Sequence, residues 1–150
     1  MRFKGSHDHS MDNKGRVSIP ASFRTEIQRL GGDQAPILTR GKDHLVLYPA
    51  DVWDAIAEDL ASKSSFNPDI QALERFVVGG SADCPIDAQG RITIPAALRS
   101  HAGLDGKVTL VGLSKKIEIW NHDRIEFAQN TTLARLDALQ MSVDQSTSGP

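Results

Sequence analysis

The sequence predicts an α+β chain, mainly β with short helices, in which two related halves share one core about an approximate twofold axis. Three observations carry this prediction. First, Met11-Asp12-Asn13-Lys14-Gly15-Arg16-Val17-Ser18-Ile19-Pro20 returns as Ile86-Asp87-Ala88-Gln89-Gly90-Arg91-Ile92-Thr93-Ile94-Pro95, and seven of the fifteen residues at 10–24 are identical to those at 85–99. Chance supplies about one identity at ordinary residue frequencies. Second, the same order of helix, hairpin and helix follows each copy. Third, a unit of about forty residues rarely buries enough apolar surface to fold alone, so two such units must pool their cores.

The first copy opens with a turn at Asp12-Asn13-Lys14-Gly15, because Asp bonds its own backbone two residues on and glycine accepts positive φ. Arg16-Val17-Ser18-Ile19 alternates as a strand, with Val17 and Ile19 on one face and Arg16 and Ser18 on the other. Pro20 ends it and suits the first turn of a helix from Ala21 to Leu30. Phe23, Ile27 and Leu30 fall there at helical spacing, and Gly31-Gly32 stops it. The second copy repeats the pattern with Leu98 and Ala102 inward and Gly103 as the stop. Pro36-Ile37-Leu38-Thr39 then turns through Gly41-Lys42-Asp43 into Leu45-Val46-Leu47-Tyr48. Its counterpart, Val108-Thr109-Leu110-Val111, turns through Ser114-Lys115 into Ile117-Glu118-Ile119-Trp120. From the shared arginine (Arg24 or Arg99) to this last strand there are 20 residues in copy one and 17 in copy two, so the halves match to their ends with a three-residue deletion. A helix follows each hairpin: Asp51 to Leu60, and Asp123 onward with Asn121 as N-cap. Between the copies, Ser62-Lys63-Ser64-Ser65 reads as a loop, and Asn67-Pro68 starts a short helix with Ile70, Leu73 and Phe76 inward. The polar tail from Ser142 to Pro150 is expected to fray.

Of the 150 residues, 39% are hydrophobic, enough for a core. No apolar run approaches the ~20 residues of a membrane span. The opening Met1-Arg2-Phe3-Lys4-Gly5 lacks a signal peptide's apolar stretch, and the single cysteine, Cys84, leaves no internal disulfide. A cytoplasmic protein without a membrane partner is expected. The net charge of −2 excludes a uniformly basic surface, but residues 1–29 carry six cations against three acids, and residues 121–150 carry two against four. Attraction to phosphate follows the local face, so a DNA partner stays open. No Gly-rich phosphate loop, nucleophile elbow or catalytic carboxylate pair appears, which argues against an enzyme. His7-x-His9 has no Cys or carboxylate set to complete a metal site, so no cofactor is expected. Cys84, ahead of Pro85 at a strand entry, reads as a packed thiol.

Phe3-Lys4-Gly5, then Asp12-Asn13-Lys14-Gly15-Arg16 with Ile19-Pro20 and Arg24, resembles the first half of the MraZ family. Asp83-Cys84, Asp87-Ala88-Gln89-Gly90-Arg91, Ile94-Pro95, Arg99 and Ala102-Gly103-Leu104 resemble its second half, so the likeness covers roughly residues 1–140. This resemblance implies a SpoVT/AbrB-like fold, in which swapped β-hairpins of two half-domains interlock into one pseudo-twofold barrel. Half-domain 1 is then expected at 5–51, a helical connection at 52–80, half-domain 2 at 81–124, and a C-terminal helix with a frayed tail at 125–150. The resemblance also implies a nucleoid-associated bacterial transcription regulator that acts on direct repeats upstream of the division and cell-wall gene cluster and assembles into closed rings. An antitoxin-like or structural oligomerisation module of the same fold is the alternative.

The candidate DNA-binding residues are Lys14, Arg16, Arg91 and Lys4, with Asp12 and Asp87 as orienting partners. Arg16 opens a strand on its polar face, where a guanidinium can clamp a phosphate or grip guanine O6 and N7 as a fork. Alternatively Arg16 pairs with Asp12, four residues earlier, and only fixes the turn; the two roles are compatible. Lys14 becomes Gln89 in copy two, so the main contact is expected around Lys14 and Arg16, with Arg91 weaker or pairing with another subunit. Arg24 and Arg99 read as a solvated or Asp-paired helix face rather than as DNA contacts. Arg2 and Lys4 can reach a phosphate as a mobile arm, although exposed terminal charges usually contribute nothing.

Overall fold

Chain order in the computed structural model, which describes residues 2–147, runs β1 (Phe3–Ser10), β2 (Arg16–Ser18), α1 (Ala21–Gly31), β3 (Ile37–Arg40), β4 (Leu45–Tyr48), α2 (Ala50–Lys63), α3 (Pro68–Val77), β5 (Ala82–Asp83), β6 (Arg91–Thr93), α4 (Ala96–Ala102), β7 (Lys107–Ser114), β8 (Lys116–Asn121), α5 (His122–Ala134) and α6 (Leu136–Thr147). Six strands pair antiparallel in the order β1-β7-β8-β4-β3-β5, and β2 pairs with β6 as a separate ribbon. Exchanging the two copies turns β1 into β5, β3 into β7 and β4 into β8, and the order then reads the same from the other end.

The registers obey the same exchange. Val17 faces its own counterpart Ile92, flanked by Arg16 opposite Thr93 and Ser18 opposite Arg91. Val46 faces its counterpart Glu118, flanked by Leu45 opposite Ile119 and Leu47 opposite Ile117. The outer strands cross between halves: β1 of copy one pairs with β7 of copy two, and β5 of copy two pairs with β3 of copy one. One apolar cluster accordingly draws on both copies, with Phe3, Phe23 and Leu38 from the first beside Leu98, Leu110 and Ile119 from the second. Val17, Ile19, Ile92 and Ile94 lie at its centre, none more than 1% exposed.

Most elements fall where the pattern puts them. Pro20 and Pro95 precede α1 and α4, whose Phe23, Ile27, Leu98 and Ala102 are buried. Asn121 caps α5 by accepting a hydrogen bond from the Arg124 amide at 3.1 Å. Cys84 is buried, with Sγ 3.7 Å from the Thr93 carbonyl oxygen, and burial pushes its thiol up to about 12.

Five expectations are corrected. Six helices stand beside eight strands among the described residues, so the chain is mixed α+β rather than mainly β. Ser62 and Lys63 belong to α2 rather than to a loop. Arg2 and Lys4 form no mobile arm: Lys4 belongs to β1, paired opposite Leu113, and Arg2 Nη1 donates to Ser114 Oγ at 3.3 Å. Leu73 does not face inward but is 49% exposed, with Ile70 and Phe76 half-buried. Polar and cation–π contacts hold the end of α3 instead: Arg40 lies 4.3 Å over the Phe76 ring and donates from Nε to the Phe76 carbonyl at 3.0 Å, while Thr39 Oγ1 donates to the Val77 carbonyl at 2.5 Å. The C-terminal segment is two helices broken at Arg135, and the stretch from Ser142 to Thr147 continues α6 instead of fraying. Residues 148–150 of that expected tail lie outside the described residues.

Candidate nucleic-acid interface

Both copies of the motif build the same turn. Gly15 takes φ 81° and Gly90 φ 79°, a region that glycine enters without the steric cost a Cβ imposes. In copy one, Asp12 Oδ1 accepts the Lys14 and Arg16 amides at 3.0 and 2.9 Å, and Asp12 Oδ2 accepts Arg16 Nε at 2.6 Å. In copy two, Asp87 Oδ1 accepts the Gln89 and Arg91 amides at 2.8 and 3.0 Å, and Asp87 Oδ2 accepts Arg91 Nε at 3.3 Å. Each carboxyl is held below the usual carboxylate range, first by the backbone N–H of its arginine and also by the guanidinium. Each aspartate thus ties two amides of its turn and the Nε of its arginine to one carboxylate.

The two turns also hold each other. The Gly90 carbonyl accepts the Ile19 amide at 2.9 Å, and the Gly15 carbonyl accepts the Ile94 amide at 2.8 Å. Arg24 Nη1 donates to the Ile19 carbonyl at 3.0 Å, and its guanidinium lies where a Cβ on Gly90 would sit. Arg99 lies over Gly15 in the same way: a Cβ there would stand 2.9 Å from Arg99 Nη1 and 2.9 Å from the Ile94 carbonyl oxygen. Arg24 and Arg99 are thus half-buried struts, each laid across the other copy's turn, rather than a solvated or Asp-paired face. Their recurrence in both copies at one distance from the Gly-Arg pair was the available signal, but helical spacing alone does not reveal a partner in the other half.

Residues directly opposite in an antiparallel ribbon share a face. With Val17 and Ile92 fully buried beneath, Arg16, Ser18, Arg91 and Thr93 occupy the outer face of the β2–β6 ribbon, with the two arginines on one diagonal. Diagonal neighbours of this kind lie about 7–8 Å apart at the backbone, so the ribbon brings Arg16 and Arg91 into one patch. Lys14 and Gln89 are exposed on the flanking turns. Lys4 does not join them; about 20 Å of extended strand separates it from Ser10 at the turn end of β1.

The patch is asymmetric at its edges. Arg91 Nη2 donates to the Gln89 side-chain oxygen, whereas Arg16 has Lys14 at the equivalent place, a group that cannot accept. Among the described residues, Arg16 hydrogen-bonds only through its main chain and Nε, and its side chain is 32% exposed. Its terminal nitrogens are therefore available for two acceptors at once.

A family model described as "MraZ protein, putative antitoxin-like" matches residues 2–76 and 77–138, one match per copy. The chain belongs to the MraZ family. Curated members named Transcriptional regulator MraZ align over most of their length. That of Nitrosospira multiformis is 35% identical over 142 residues, covering 95% of this chain and 97% of its own. That of Alkaliphilus metalliredigens is 42% identical over 123 residues, covering 81% and 82%. That of Nitrosomonas eutropha is 37% identical over 135 residues, covering 90% and 91%. The MraZ boundary at 76/77 falls near the end of α3, before β5, so the connection between the motifs is divided with the first repeat. No helix among the described residues is long and apolar enough to cross a membrane.

Proposed function

We propose that this chain is a sequence-specific DNA-binding transcription regulator that meets the duplex with the outer face of the β2–β6 ribbon. The observation that carries the reading is the pair of Asp-oriented arginines, Arg16 and Arg91, on one face of one ribbon, with Lys14 beside the freer of them. A guanidinium with two terminal nitrogens open can grip a phosphate or the O6/N7 edge of guanine. The names of the MraZ relatives support the regulatory role, and the acidic net charge does not oppose it, since the local face sets the attraction.

In this reading the two sheets close around their common core as an interlocked SpoVT/AbrB-like barrel, with half-domains at 5–51 and 81–124, a helical connection at 52–80 and a C-terminal segment from 125. The palindromic strand order and the crossed pairing of β1 and β5 support it. One ribbon offers few phosphate contacts, so tight binding requires several chains. A closed homo-oligomeric ring, as the resemblance implies, sets neighbouring ribbons along one face of the duplex, about 34 Å or one helical turn apart. The sites are then direct repeats upstream of the division and cell-wall genes, and the protein works in the cytoplasm on the nucleoid.

The test is a gel shift on duplexes bearing one or several copies of a repeat from the chain's own upstream region. Saturable binding that strengthens steeply with repeat number and weakens steeply with salt is expected, the salt slope recording neutralised phosphates. Equal, unsaturable binding to any duplex rejects the reading and leaves the antitoxin-like or structural alternative.

A further inference from the structure

The three-residue deletion between the halves extends the correspondence past the hairpins, so that Tyr48 answers to Trp120, Ala55 to Phe127 and Ile56 to Ala128. Trp53 and its counterpart Ile125 both point into the protein, at 8% and 7% exposure, so α2 and α5 present equivalent outer faces. Each outer face borders a groove closed by the other half's hairpin turn. The first groove, about 600 Å³, lies between α2 and the β7–β8 turn, with Val52, Ala55, Ile56 and Leu113 as its apolar lining. The second, about 700 Å³, lies between α5 and the β3–β4 turn, bordered by Trp120 and Phe127.

The two are equivalent in position and differ in lining. Where the first groove has the methyl group of Ala55, the second has Phe127, which stands 75% exposed on α5. They are also opposite in charge. Lys115 and Lys116 border the first against one acid, Asp51. Asp43 and Asp123 border the second against Arg124, whose Nη1 is already directed at the Asp43 and His101 carbonyls at 3.3 and 3.4 Å. An aromatic knob with an acidic rim complements an apolar hole with a basic rim, and one chain carries both on different ends.

We infer that the Phe127 face of α5 docks into the groove between α2 and the β7–β8 turn of a second copy of this chain, so that copies join head to tail. The inference rests on the homo-oligomer reading above and names its surface. A contact between two different patches repeats indefinitely until it closes on itself, which is what a ring requires and what a twofold dimer does not supply. Aromatic side chains seated in apolar pockets are the residues that dominate such contacts.

The test uses two variants that each spoil one end. Phe127→Asp removes the knob, and Ala55→Trp fills the hole; both positions are exposed, so neither change touches the core. Light scattering should give the wild type a mass of several 16.3 kDa chains and each variant alone the mass of one. Mixing the two variants in equal amounts leaves one intact knob and one intact hole per pair, and should give a species of two chains and no larger. A Phe127→Asp protein that keeps the wild-type mass, or a mixture that stays monomeric, overturns the inference while the oligomer stands. A wild type that is itself monomeric overturns the oligomer reading and this surface with it.

Discussion

Arg16 and Arg91 begin alike and end differently. Both follow a positive-φ glycine, both bond an aspartate four residues back, and both lie on the outer face of the same ribbon. One neighbour separates them. Gln89 accepts a hydrogen bond from Arg91 and so occupies one of its terminal nitrogens, whereas Lys14 adds a second cation beside Arg16 and takes nothing from it. A duplicated motif can thus keep its folding contacts identical in both copies while a single side chain decides which copy stays available to a partner.

The largest expected effect tests that availability. A single arginine contact is worth about 1–3 kcal/mol, and an assembly loses it in every subunit, so Arg16→Ala should lower affinity for a tandem site roughly 100-fold or more. Arg91→Ala should cost clearly less, and both should leave the thermal unfolding midpoint close to wild type. Equal losses for the two variants, read by titration on the same duplex, break the comparison. Stability offers the next contrast. Alanine at either turn glycine is strained by its φ, at about 1–3 kcal/mol. Gly15→Ala should be the worse of the two in denaturant melts. Its Cβ meets the Ile94 backbone carbonyl at 2.9 Å, whereas the nearest atoms at Gly90 all belong to the Arg24 side chain, which can swing aside. A smaller effect comes from exchanging the neighbours. Lys14→Gln combined with Gln89→Lys should change affinity by less than about 10-fold, since each subunit keeps the same count of cations. The damage ranking should nevertheless invert, with Arg91→Ala now the more harmful; an unchanged ranking assigns the asymmetry to something other than these two side chains.

The smallest effect is with pH. Asp12 and Asp87 both have carboxyls lowered from 3.8, chiefly by the N–H groups of Arg16 and Arg91. A lowered folded value means that the stabilisation is complete above the unfolded value and is lost only as pH falls through the lower, folded one. Neither clasp should titrate between pH 5 and 8, and unfolding below about pH 4 should weaken both turns together. DNA affinity that varies between pH 5 and 8 in the wild type, and no longer does in Asp12→Asn, breaks that assignment.

Much of this was legible because the chain states it twice. The Asp-x-x-Gly-Arg turn, the alternation of Val17 and Ile19 and the helices behind Pro20 and Pro95 are local patterns, and the second copy corroborates each of them. What stayed hidden depends on partners far away in sequence. β1 reads Phe-Lys-Gly-Ser-His-Asp-His-Ser, with only Phe3 buried, and carries no apolar alternation to announce a strand; its pairing comes from β7. The struts Arg24 and Arg99 look like ordinary polar helix positions until the other half's glycine is placed beneath them. Leu73 stays exposed because helical spacing predicts a buried stripe only when something packs on that stripe, and α3 is held by its end instead.

The crossed pairing has a consequence for how the protein is made. Phe3 pairs with Ser114, and the Gly15 carbonyl waits for the amide of Ile94. Contacts so distant in sequence close late, after the entropy of a long loop has been overcome. On a ribosome adding about 5–20 residues per second, the first half emerges seconds before its partner strands exist. A nascent chain therefore displays the first motif without the strand that pairs with it. Only a finished polypeptide can close the β2–β6 ribbon, so an incomplete copy lacks the face on which Arg16 and Arg91 meet.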